Sequence, residues 1–170
     1  MDAGGSSSST TEAPAAKILN GDLSPGDIAV DASNVYWVNR GSDSNSSFAH
    51  VFVLPKSGGT PTEIAATEGE PYHLFVDDTH VYWDVVASDP PLAGHGVLYS
   101  VPKSGGPVTK IFDAPKNLHS FTMDEAGFYW ENGEGKILSL PKSGGSPTLV
   151  AESAESGYLY KIVVDKDQLY

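Results

Sequence analysis

Two short blocks of residues recur through this chain in fixed order, and that recurrence constrains the fold more than any other feature. One block reads IAVDASNVYW from Ile28 to Trp37, LFVDDTHVYW from Leu74 to Trp83, FTMDEAGFYW from Phe121 to Trp130 and IVVDKDQLY from Ile162 to Tyr170. The other reads LPKSGG from Leu54 to Gly59, VPKSGG from Val101 to Gly106 and LPKSGG from Leu140 to Gly145. Asp31, Asp77, Asp124 and Asp165 fall at intervals of 46, 47 and 41 residues. The chain therefore holds three full copies of one unit and the start of a fourth.

Each copy reads as four short strands. A short apolar run ends at the repeated Asp, three residues make a tight hairpin, and V-Y-W opens the second strand. The Asp is expected to be a turn acceptor. Asn34, His80, Gly127 and Gln168 hold the last turn position, where Asn and Gly suit the positive φ of a bulged three-residue hairpin. The third strand runs into Pro55, Pro102 or Pro141, placement that suits an outer strand, and Lys-Ser-Gly-Gly turns the chain into a fourth. Hydrophobic residues at 39% and aromatics at 10% suffice for a core. Four antiparallel strands per period of roughly 40 to 50 residues, without helical periodicity, is the pattern of β-propeller blades. The expected fold is all-β: blade 1 over residues 27–66, blade 2 over 72–113, blade 3 over 119–151 and the start of a fourth over 158–170.

The V-D-x-x-x-V-Y-W block followed by P-K-S-G-G resembles the blade repeats of exported bacterial β-propellers. More distantly it is similar to the YWTD repeats of receptor-type six-bladed propellers and to the TolB-like family. Val38-Asn39, Asp84-Val85 and Glu131-Asn132 stand where YWTD carries Thr-Asp, so receptor-type ligand binding is not carried over. Residues 15–20 (AAKILN) align with the fourth strands and read as the last strand of a preceding blade. Closed propellers have 4 to 8 blades. The expectation is an open arc, either a fragment of a longer propeller or a unit that self-assembles into a ring.

Ten Lys and Arg against 22 Asp and Glu give a formal net charge of −12. With Arg40 the only arginine, no basic stripe for phosphate contacts can form, and nucleic acid is not an expected partner. No apolar run approaches the ~18 residues of a membrane helix, so membrane insertion is not expected either. The absence of cysteine removes disulfides and thiolate chemistry. Residues 1–14 (MDAGGSSSSTTEAP) read as a disordered leader of the kind that often follows an export signal or lipid anchor. With the resemblance, the expected location is outside the cell, in a periplasm or at a cell surface, although a plain flexible terminus would read the same way.

A single site needs unique residues, so features present in every blade are scaffold. The Tyr-Trp pairs read as packing, and Lys56, Lys103 and Lys142 as solvated hairpin charges. Lys-Ser-Gly-Gly between strands is no phosphate loop, which needs a helix to follow. Unique residues gather instead in the loops between strands two and three, such as 40–50 and 87–96, and in the links between blades. Strand alternation puts both sets at one end of the arc. At that end the mouths of the innermost strands carry Asp27, His73, Ser120 and Lys161, with Tyr72, His119 and Tyr160 just before the last three. These seven are the candidate ligand-binding residues. His50, His80 and His95 read as loop residues without ligand spacing.

No cofactor is expected. A divalent metal on His73 and His119 with Glu68 and Glu70, or calcium at the acidic turns Asp77-Asp78 and Asp165 to Asp167, is the alternative. No hydrolase elbow or catalytic triad is evident. The sequence reads first as a non-enzymatic interaction module that binds a protein or carbohydrate through its variable face. A metal-dependent lactonase- or lyase-type propeller enzyme and a purely structural repeat are the alternatives.

Overall fold

The computed structural model describes residues 24–41, 48–88, 93–116, 118–152, 161–165 and 168–170. Three four-stranded antiparallel sheets follow one another in chain order. The first contains β1 (Ser24–Val30), β2 (Asn34–Arg40), β3 (Phe48–Pro55) and β4 (Thr62–Glu68). The second contains β5 (Glu70–Val76), β6 (His80–Val86), β7 (Gly96–Pro102) and β8 (Thr109–Ala114). The third contains β9 (His119–Met123), β10 (Gly127–Glu131), β11 (Lys136–Pro141) and β12 (Thr148–Glu152). A short hairpin, β13 (Val164–Asp165) with β14 (Gln168–Leu169), opens the fourth copy. Each sheet is an up-and-down meander, the form of a propeller blade. The leader and the segment 15–20 lie outside the described residues.

Side-chain alternation explains why adjacent sheets stack. Successive strand residues point to opposite faces, so the Tyr-Trp pair serves two interfaces at once. Trp83 joins a buried cluster with Tyr36, Val38 and Val51 of the first blade. Its neighbour Tyr82 faces the other way and joins Leu98 with Phe121, Phe128 and Trp130 of the third. The first strands of the first two blades lie side by side, β1 beside β5, as inner strands of a propeller do.

The repeated Asp is a turn acceptor and more. Asp31 Oδ1 accepts the N–H groups of Ser33 and Asn34 at 2.8 and 2.7 Å. Asp77 does the same for Thr79 and His80, and Asp124 for Ala126 and Gly127. The second oxygen takes the hydroxyl of the tyrosine five residues on: Tyr36 at 3.0 Å, Tyr82 at 2.9 Å and Tyr129 at 3.2 Å. Onto that oxygen reaches a lysine from the following blade. Lys103 Nζ lies 2.8 Å from Asp31 Oδ2, and Lys142 Nζ 3.0 Å from Asp77 Oδ2. Each ammonium also sits over the tyrosine ring, 5.9 and 6.0 Å from the centroid. Lys103 and Lys142 are therefore inter-blade clasps and not the solvated charges their turns suggest.

Two further expectations are corrected. β3, β7 and β11 are flanked on both sides, so the prolines do not mark an outer strand. They sit at the last residue of each strand, where a missing N–H interrupts nothing further. Positive φ in the turns belongs to the Gly-Gly pairs, such as Gly58 at 92° and Gly59 at 129°, and not to Asn34, His80 or Gly127. Gly127 is small for another reason: a Cβ there would overlap the carbonyl oxygen of Leu140.

The Lys103 ammonium and the turn N–H groups, against the opposing cost of burial, hold the Asp31 carboxyl well below the usual carboxylate range. At Asp77 burial pushes the other way, and the N–H groups of Thr79 and His80, Lys142 and Tyr82 overcome it. A carboxyl depressed in the fold stabilises it above the unfolded pKa of about 4 and loses that contribution as pH falls from there through the depressed folded value. Replacing both Lys103 and Lys142 by Met should lower stability at pH 7 by about 1–2 kcal/mol, since both pairs are partly open to solvent. The gap between double mutant and wild type should begin to narrow below pH 4 and be clearly smaller at pH 2 than at pH 7 in denaturant titrations. A gap of equal size at both pH values would show that the lysines do not act through these carboxylates.

Candidate functional site

The site residues stand where they do because each inner strand is bulged at its mouth. The β1–β2 register steps between Pro25 and Asp27, that of β5–β6 between Pro71 and Leu74, and that of β9–β10 between Tyr129 and Glu131. A bulge leaves a residue outside the ladder and re-aims its side chain. Ser120 shows the cost: its φ of 48° is in the left-handed region, unfavourable by about 1 kcal/mol for a residue with a Cβ. Strain of this kind persists where surrounding structure enforces it.

The rim side chains are bonded differently in each blade. Asp27 Oδ2 accepts the Leu74 N–H at 2.9 Å, tying the first blade to the second, while Oδ1 accepts the N–H of Ile28 at 2.8 Å. His73 donates its backbone N–H to Asp84 Oδ1 at 2.7 Å, and its Nδ1 lies 3.1 Å from the same oxygen. The ring rests against Phe75 and Phe121, which places His73 at the junction of the second and third blades. Tyr72, by contrast, is 43% exposed. His119 is opposite Glu131 in the β9–β10 register. Lys161 is exposed on the segment leading to β13, and Tyr160 lies outside the described residues.

Asp84 and Glu131 are functional candidates that the sequence reading passed over. Both are fully buried, and each follows the tryptophan of its blade, where the first blade has Val38. Asp84 spends Oδ1 on His73, and Glu131 spends Oε1 on the Gly135 N–H at 2.8 Å. Among the described residues Asp84 Oδ2 and Glu131 Oε2 have no hydrogen-bond partner, a costly state for a buried charge. The available signal was an acid directly after Trp in an otherwise apolar strand.

Electrostatics at His73 follow from this setting. Burial alone would depress its pKa, but the hydrogen bond to Asp84, the Asp84 charge and the nearby Asp27 charge outweigh it, and the net shift is upward. The rim therefore presents a partly exposed imidazole that holds a proton more firmly than a free one does. Of the acids grouped with the histidines, Glu70 pairs with Arg40. Among the described residues no three His, Asp or Glu side chains come together as a metal-binding group. His50 and His80 lie in strands and not in loops, and His50 pairs with Glu63 as His95 does with Asp113. At the opposite end, Asp77 and Asp78 face Asp124, Glu125 and Lys142 across a cleft between the second and third blades.

No protein-family model matches the sequence, and no curated protein matches it. The fold is similar to that of the computationally designed Ika4 protein, with a TM-score of 0.65 at 9% identity over 89% of this chain and 86% of that one. It is also similar to the computationally designed Ika8 protein, with a TM-score of 0.61 at 9% identity, covering 85% of this chain and 41% of that one. BamB from Moraxella catarrhalis aligns at a TM-score of 0.39 and 13% identity, over 86% of this chain and 54% of that one. The class of protein is thus defined by its fold: an all-β chain of four-stranded propeller blades.

A histidine raised in the fold stabilises it below the unfolded pKa of about 6.5 and loses that contribution as pH rises through the folded value. Asp84→Asn should lower the His73 pKa, read by NMR titration of the ring, and remove this pH-dependent part of the stability. An unchanged His73 titration would mean that Asp84 is not its charge partner.

Proposed function

We propose that this chain is a non-catalytic interaction module of an exported β-propeller protein, which holds a protein or carbohydrate ligand on the rim of its inner strands. The observation that carries this reading is a contrast between the two ends of the blades. At the uniform end, the repeated Asp and Tyr make the same bond in each blade, and at both junctions between blades a lysine joins it. At the rim, equivalent bulged positions carry Asp27, His73 and Ser120, and Tyr72 stands exposed beside His73. An exposed aromatic edge next to an imidazole donor suits a sugar face or a polar protein loop. Function is then expected outside the cytoplasm, in keeping with the resemblance of the repeats.

Binding to a panel of immobilised glycans and purified cell-surface proteins tests this. Tyr72→Ala should weaken any specific binding at least tenfold, about 1.4 kcal/mol, and leave the melting temperature unchanged because the ring is exposed. His73→Gln should weaken it too. Binding that survives both substitutions would move the site off the rim. The reading as a metal-dependent enzyme rests on the two unpartnered buried oxygens. A stoichiometric divalent ion in the purified protein, lost in Asp84→Asn, would favour that reading instead.

A further inference from the structure

The clasp has a direction, and the two ends of the arc carry its complementary halves. At each junction the preceding blade supplies the acceptor, an Asp with the tyrosine five residues on, and the following blade supplies the lysine of its P-K-S-G-G turn. The first blade has the equivalent lysine, Lys56, and among the described residues no carboxylate meets it. The fourth copy has the equivalent acceptor, Asp165 with Tyr170, and among the described residues no cation meets it; the Tyr170 hydroxyl instead donates to Gln168 Oε1.

Burial tells the same story independently. Ile28 is 64% exposed, whereas its equivalents Leu74 and Phe121, each covered by a preceding blade, are 3% and 6% exposed. Tyr170 is 70% exposed, whereas Tyr36 and Tyr82, each covered by a following blade, are 1% and 5% exposed. The leading face thus offers a cation beside bare Ile28 and Val30, and the trailing face offers a carboxylate beside a bare tyrosine. The two faces match each other in charge and in apolar content, and each repeats one side of a junction already made twice within the chain.

We infer that a second copy of this chain docks head to tail on the first, with Lys56 of one copy clasping Asp165 of the other under Tyr170, while Ile28 covers the ring. Such an interface is heterologous, and it ends only when the rotation closes. Two copies, each with three blades and a fourth begun, supply eight blade positions, within the range of closed propellers. The inference concerns the edges of the arc and is independent of the ligand-binding rim.

Sedimentation velocity of the full 170-residue chain at 0.15 M salt tests it, the salt being needed to screen the self-repulsion of a −12 chain. The expected species has twice the 17.9 kDa of the monomer. Lys56→Asp alone and Asp165→Lys alone should each raise the dimer dissociation constant at least tenfold. Mixing the two variants should restore dimer, because the reversed charges meet at one of the two junctions. Ile28→Asp serves as a second variant at an exposed position that folding does not need. A wild-type monomer at 100 µM would overturn the inference, and would assign the bare faces to blades outside this sequence or to closure of the chain on itself. A dimer indifferent to all three substitutions would overturn it as well.

Discussion

A four-stranded sheet with apolar residues on both faces cannot bury either face by itself, and every other property of this molecule follows from that constraint. The second blade shows it most fully, because it alone has a complete blade on each side. Trp83 and Val85 bury against the first blade, and Tyr82 and Leu98 against the third. Each of these side chains contributes roughly 1.5–3 kcal/mol when removed from water, so stacking dominates and the polar contacts act on top of it. What those polar contacts fix is alignment. A flat apolar face tolerates sliding, whereas Lys103 on Asp31 and Lys142 on Asp77 each match one atom to another across the junction.

The two ends of the blades solve their polar problems in opposite ways. At the turn end every acceptor is shared by several donors: Asp77 takes two backbone N–H groups, a phenol and an ammonium. At the rim, charge is buried with fewer partners, as at Asp84 and Glu131, and the backbone is bulged and, at Ser120, left-handed. Stability is concentrated where the repeats agree, and departure from the rule is concentrated where they differ. Such departures are expected at sites kept for something other than folding.

The fold was legible because its signals are local and repeated. Short apolar runs, a three-residue turn after Asp and a Gly-Gly turn after Lys-Ser recur three times, and equivalent residues pair in the same register, Val30 with Val35 and Val76 with Val81. The rim positions were legible too, as the places where equivalent residues differ. The clasps were not, because Lys142 and Asp77 are 65 residues apart and meet only through the stacking of whole blades. The bulges were hidden as well: nothing in Pro71-Tyr72-His73 distinguishes a ladder residue from one pushed out of it. The buried acids escaped notice because a carboxylate in a strand ordinarily reads as a solvent-facing residue, and the inner position of β6 and β10 is set by the neighbouring blades.

The one-way sense of the clasp bears on how a chain of this kind can lengthen. Each of the three full copies carries a lysine for its predecessor and a carboxylate for its successor, so such a unit can be inserted between any two others and satisfy both. Duplication of one repeat by unequal recombination leaves no junction unpaired and demands no compensating substitution elsewhere. The scaffold end can stay constant through such events while each new copy brings its own rim residues, free to diverge from the moment of duplication.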